Sequence, residues 1–176
     1  MSGKLVVIPL MILAFLFSTS LTKEVSAMDT LKITSPAFQN NSHITGKYTC
    51  DGGDINPPLL IEDCPQETKS IAIIVDDPDA PMGTWIHWVI WNIAPNVKEI
   101  KENTVPPGAV EGMNDFGKHS YGGPCPPSGT HRYFFKVYAL DTVFSISPNS
   151  NKVDLEKAMK GHILAQGQII GLYKRR

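Results

Sequence analysis

The sequence is nearly without net charge: 16 Lys and Arg stand against 17 Asp and Glu. That balance gives no electrostatic support for nucleic-acid binding. Three common catalytic signatures are missing as well. There is no HExxH, no GxSxG elbow and no phosphate-cradling P-loop. No repeat and no low-complexity segment appears, and helical periodicity is confined to one late stretch. Cysteine is sparse, with only Cys50, Cys64 and Cys125. In an oxidising compartment three cysteines allow one disulfide and one leftover thiol. Of the three pairings, Cys50 with Cys125 is preferred, because both lie in Gly/Pro-rich loops (TCDGG and GGPCPP) that could meet at one end of a sandwich. Three free thiols are the alternative.

Long apolar runs are also lacking, except at the start. Lys4 supplies a positive charge, Leu5 to Leu21 is an apolar run, and Val25-Ser26-Ala27 offers a small-residue cleavage site. This pattern predicts a secretory signal peptide over residues 1–27, cut between Ala27 and Met28. An uncleaved membrane anchor is the alternative, and the polar end of the run favours cleavage. No cysteine follows the run to carry a lipid. Residues 28–176 then form a single domain, exported to the periplasm or secreted. A chain of this length buries about two-thirds of its unfolded surface, enough for a core without staples.

What the chain does contain is strand. Leu31 to Thr34, Ile44 to Thr49 and Leu59 to Ile61 read as short strands. Lys69 to Val75 and Trp85 to Ile93 are apolar on both faces, as in a central strand covered on both sides. His131 to Leu140 and Gln168 to Tyr173 complete the set. Asn151 to Ile163 reads as the one clear helix. Between Ile93 and Ser128 the chain is rich in Gly and Pro and has little periodicity, a long loop of the kind that carries function. The fold class this predicts is mainly β: a two-sheet antiparallel sandwich with one or two peripheral helices.

Chemistry concentrates around Asp76 to Asn92 (DDPDAPMGTWIHWVIWN). Asp77 and Asp79 share a direction if the chain stays extended, with Asp76 opposite. Pro78 and Pro81 stiffen the turn. A solvent-exposed acidic turn is the plain alternative. His87 lies among tryptophans in a strand expected to be buried, and His131 and Tyr133 share one face of another. A lone histidine in such a place is more often a hydrogen-bonded core residue than a ligand. Two central strands that each bring a histidine toward one Gly/Pro loop suggest a shared polar pocket. Imidazole, a phenol and the backbone amides of Gly122 and Gly123 would select an anion such as phosphate or sulfate. A carboxylate at the rim suits a zwitterion such as phosphoethanolamine. His87 and His131 lie too far apart in sequence for a compact chelate, so neither metal nor cofactor is expected. Nothing marks a base aimed at Ser120.

Three blocks then carry a resemblance: DPDAP (Asp77 to Pro81), HWVIWNI (His87 to Ile93) and YGGPCPPSGTHRYFF (Tyr121 to Phe135). They resemble the signature blocks of the phosphatidylethanolamine-binding proteins, in the bacterial and archaeal Raf kinase inhibitor-like (YbhB/YbcL type) branch. YTCDGG, GMNDFG and KAMKGHILAQG are similar to that branch too, so the likeness spans Leu31 to Arg176. It implies a β-sandwich with a small anion pocket at one end. It implies a ligand set of Asp77, His87, Gly123, Pro124, Cys125, Pro126, His131 and Tyr133, with Asp79 and Arg132 supporting the rim. Asn56 and Ile61 depart from the branch, where serine and tryptophan are more usual. The chain also stops after the last strand, without the C-terminal helix of animal members.

The function expected is a secreted or periplasmic binding protein, not an enzyme, holding a phosphate-like or phosphoethanolamine-type headgroup. Partners beyond that ligand are a regulated protein or a second copy of the chain, not nucleic acid. The rival readings are a secreted inhibitor of a protease or signalling protein acting through surface loops, and a metal-dependent hydrolase.

Overall fold

A computed structural model describes residues 29–175, together with Gly3. The expected signal peptide, its cleavage site and Arg176 lie outside those residues. The order of elements is β1 (Asp29–Thr30), β2 (Lys32–Thr34), β3 (Ser42–His43), a single 3-10 turn (Gly46–Tyr48), β4 (Leu59–Glu62), β5 (Ser70–Asp77), β6 (Trp85–Ile93), β7 (Glu99–Ile100), β8 (Val110–Glu111), β9 (His131–Leu140), α1 (Lys152–Met159) and β10 (Ile163–Tyr173).

Two sheets result. The larger has seven strands in the order β1-β10-β9-β5-β6-β8, with β3 also on β10; the smaller runs β2-β4-β7. Pairing is antiparallel except for β1 and β3, which lie parallel to β10. Between those two short edge strands Asn40 fills the gap. Its side-chain oxygen accepts from the Ile170 N–H at 2.9 Å, and the Asn41 N–H donates to the Ile170 carbonyl at 2.7 Å. A ladder position without a strand partner is thus satisfied by an amide.

The β-branched run Ile71-Ala72-Ile73-Ile74-Val75 makes β5 central, buried along its whole length. Ile71, Ile73 and Val75 face the small sheet, with Trp88, Ile90, Phe135 and Val137 from neighbouring strands. Ala72 and Ile74 face outward, where Val89, Trp91, Leu155 and Met159 cover them under α1. Helix α1 starts at a capping box: Asn151 accepts from the Val153 and Asp154 N–H groups, and the Asp154 carboxylate takes the Asn151 N–H. It ends earlier than its periodicity predicts, because Gly161 turns left-handed (φ 84°) and the chain enters β10 at Ile163.

Two further expectations change. Ile44 to Thr49 is no strand: residues 46–48 curl into the 3-10 turn, closed by the Thr49 hydroxyl donating to the Gly46 carbonyl at 2.9 Å. The last strand is longer than Gln168 to Tyr173. Gly167 and Gly171 do not interrupt it; their absent side chains let Leu31 and Ile44 cross close over the strand.

Candidate functional site

Strand β5 ends in two buried carboxylates that point to opposite faces. Asp76, outward, meets the ammonium groups of Lys136 at 2.7 Å and Lys152 at 3.2 Å, beneath α1. Asp77, inward, accepts from the His131 Nδ1–H at 2.7 Å through Oδ2 and from the Asp79 N–H at 2.8 Å through Oδ1. The second bond closes the DPDAP turn over its own backbone. Asp79 then takes a two-pronged contact from Arg132, Nε at 2.9 Å and Nη2 at 2.7 Å, along with the Arg132 N–H. The guanidinium hydrogen bonds hold the Asp79 carboxyl down at about 2, against the opposing effect of burial.

His87 arrives by a device that alternation cannot reveal. Val75 pairs with Trp88 and Asp76 with Ile86, so His87 is an extra residue opposite no single partner. It is a β-bulge. Strict alternation places His87 with Val89 and Trp91 on the outer face. The bulge turns it inward instead, its ring 5.2 Å from that of Tyr133 and nearly perpendicular to it. There Nδ1 lies 2.6 Å from the Gly122 carbonyl. A carbonyl only accepts, so Nδ1 carries the proton and Nε2 is the free nitrogen. Burial lowers the pKa of this imidazole below 6.5; the Gly122 carbonyl and the carboxylates of Asp77, Asp115 and Asp54 oppose the shift without cancelling it.

The Gly/Pro loop is clamped rather than open. Cys50 and Cys125 form a disulfide, with Cα atoms 5.4 Å apart, and Cys64 is free. Around that bond the Cys50 N–H donates to the Pro124 carbonyl at 3.2 Å, the Tyr121 hydroxyl to the Tyr48 carbonyl at 3.1 Å, and the Gly123 N–H to Asp54 Oδ1 at 2.6 Å. A side chain at Gly123 would strike Asp54 and the Tyr48–Thr49 backbone. The Gly122 N–H is held by the His87 carbonyl at 2.9 Å. Both glycine amides expected to meet an anion are therefore already occupied within the protein, and these glycines serve as the crossing point of two loops.

Asp77, His87, Cys125 and Pro126 line one cavity of about 400 Å³. Trp85, Phe116 and Met82 complete its mouth, none of them marked as a ligand residue by the sequence. All three are exposed, Met82 at 97%. Gly123, Pro124, His131 and Tyr133 do not line the cavity. His131 backs it through Asp77, and Tyr133 is wholly buried against His87. The Tyr133 hydroxyl has no partner at good hydrogen-bond geometry, although the Asp77 carboxylate and the Cys125 backbone lie near enough to act on it. Burial, and then the nearby Asp77 carboxylate, raise its pKa far above the usual phenol range. A buried donor without an acceptor costs about 1–3 kcal/mol, so it marks a place where something else belongs. The arrangement offers a dry, neutral imidazole, a phenol donor and an imidazole oriented by a carboxylate, all beside an apolar mouth. Among the described residues no group of three or more His, Cys, Asp or Glu is placed to hold a metal.

Residues 34–174 match the family model described as phosphatidylethanolamine-binding protein. A UPF0098 protein of Pyrococcus horikoshii is 52% identical over 155 residues, covering 83% of this chain and 77% of its own. One from Methanothermobacter thermautotrophicus is 49% identical over 150 residues, 82% of this chain and 99% of its own. Among solved structures, a phosphatidylethanolamine-binding protein homologue from Chlamydia trachomatis superposes with a TM-score of 0.81 at 41% identity, covering 84% of this chain and 99% of that one. Escherichia coli YbcL, described as a member of the mammalian family, gives 0.78 at 33% identity, with 83% and 99% covered.

Proposed function

The chain belongs to the phosphatidylethanolamine-binding protein family, and on that footing we propose that it is a non-enzymatic binding protein for a small ligand bearing a phosphate-like group. The observation that carries this reading is the buried, unpartnered Tyr133 hydroxyl next to a cavity walled by Asp77 and His87. Tyr133 lies directly behind His87 and not in the cavity wall, so a phosphate oxygen accepts from its hydroxyl only when the His87 ring gives way beside it. His87, its Nδ1–H anchored on Gly122, gives a second donor at Nε2 once it is protonated. Asp77 accepts the His131 Nδ1–H behind them, which fixes the orientation of both groups. The apolar mouth takes the uncharged part of the ligand. A phosphoethanolamine headgroup and a free phosphate share this chemistry.

Binding of the anion then takes up a proton at His87, and affinity falls as pH rises through the imidazole range. Calorimetric titration with inorganic phosphate and with phosphoethanolamine, at about pH 5.5 and 7.5, tests this. The expected result is tighter binding at the lower pH, with Tyr133→Phe weakening it about tenfold or more. Absence of binding by both compounds, or a Tyr133→Phe variant that binds as well as the parent, overturns the proposal.

Export of the chain belongs to the same reading. It is supported by the Cys50–Cys125 disulfide, a bond suited to an oxidising compartment. N-terminal sequencing of protein from the native host is expected to begin at Met28; a chain retained in the cytosol with residues 1–27 attached sinks it.

A further inference from the structure

The loop between β8 and the Gly/Pro segment is fastened to β6 with more hydrogen bonds than a connector needs. Asn114 Nδ2 donates to the His87 carbonyl at 3.3 Å and to the Ser120 carbonyl at 2.8 Å, while Oδ1 accepts from the Phe116 and Lys118 N–H groups at 3.0 and 2.9 Å. Asp115 continues the β6 ladder, its N–H donating to the Ile86 carbonyl at 3.0 Å and its carboxylate accepting from the Ile86 N–H at 2.8 Å. All this rigidity presents one side chain, Phe116. Its ring stands edge-on to His87 at 5.3 Å and to Trp85 at 5.5 Å. It occupies the space beside Gly122, where a Cβ would come within 2.6 Å of it. Phe116 is 39% exposed while His87 beneath it is 3% exposed. A large apolar ring held at the surface by a buried amide network, directly over a polar group, is otherwise unexplained.

We infer that Phe116 is the specificity-determining residue of this site, a fixed ring that keeps His87 dry and limits the ligand to a headgroup narrow enough to pass beside it. The inference rests on the phosphate-binding reading above and goes beyond it to the breadth of the ligand. Around His87 the charged neighbours are Asp77 on β5, Asp115 on the Phe116 loop and Asp54 on the disulfide-linked loop, all carboxylates. Against three carboxylates, a pKa below 6.5 means that exclusion of water dominates. Opening the ring leaves the carboxylates in place and admits water, so the imidazole becomes easier to protonate.

Two variants test this. Phe116→Ala removes the ring. Gly122→Ala keeps it but sets a methyl against its Cδ2 and Cε2, so the ring has to turn outward about its own torsion while the hydrogen-bonded backbone of the loop stays in place. The His87 pKa is read by NMR without ligand, and the affinities for inorganic phosphate and phenyl phosphate are compared. In both variants the His87 pKa is expected to rise, and the ratio of phenyl phosphate to phosphate affinity to increase about tenfold. An unchanged His87 pKa, or an unchanged affinity ratio, overturns the inference. A parent protein that binds neither compound overturns the phosphate reading instead, and the His87 titration still decides whether Phe116 seals the imidazole.

Discussion

At the scale of single residues, the site is a set of polar groups held in unusual states by burial. His87 is the clearest. Its folded pKa lies below the ordinary 6.5 because the charged form is desolvated. The folded state therefore binds fewer protons at this position than the unfolded chain. The resulting stability is complete above about pH 6.5 and is lost as pH falls from there through the folded pKa. Urea unfolding at about pH 5 and pH 7.5 should show this loss, and His87→Gln should flatten it. Equal slopes in the two proteins would remove His87 as the cause. Asp79 behaves oppositely to a lone surface acid. Its contribution is complete above about pH 4 and is lost as pH falls from there toward about 2, because Arg132 holds the carboxylate charged below its usual range. His87 itself was readable from the chain as a polar group out of place among tryptophans. Phe116 was not, since an aromatic in a Gly-rich loop carries no mark of what it covers.

At the scale of elements, β5, β6 and β9 were legible because their apolar content exceeds what one covered face requires. Their faces were less so. Two irregularities in β6 break its alternation: the bulge at His87, and another where Asn92 turns left-handed (φ 57°) and pairs its amide with the backbone of Phe144. Neither follows from periodicity, since a bulge is set by what the partner strand and loop demand. Helix α1 shows a second limit of local reading. Asp76 looked like part of an acidic turn, yet it fixes the helix to the sheet through Lys136 and Lys152. Removing Asp76 leaves two partly exposed lysines that can reach water. Removing both lysines leaves a carboxylate that is 1% exposed. The double variant Lys136→Met, Lys152→Met should therefore cost roughly 3 kcal/mol, and Asp76→Asn in the parent clearly less. Chemical denaturation of the two proteins distinguishes these; equal losses would mean that the carboxylate is not the strained partner.

At the scale of the whole molecule, the site stands where three distant parts of the chain converge: the end of β5, the bulge of β6 and the Gly/Pro loop before β9. Only the last is not itself a strand. Its position depends on Tyr121, on Gly123 and on the bond between Cys50 and Cys125, which are 75 residues apart in sequence. Closing a loop that long removes enough freedom from the unfolded chain to stabilise the fold by about 4 kcal/mol in the chain-entropy model. The same bond acts on the folded state, because Cys125 is a wall of the cavity. These two effects separate experimentally. Replacing Cys50 by Ser should lower the midpoint of unfolding in proportion to the lost loop constraint. The large sheet should stay intact, because its strands pair without help from residues 50–54. Amide exchange should then remain slow in β5, β6 and β9 and become faster at Gly122 and Gly123, which the clamp holds against His87 and Asp54. If exchange instead quickens through β9 and β10 as much as through the loop, the disulfide holds up the sandwich itself and the site has no separate clamp.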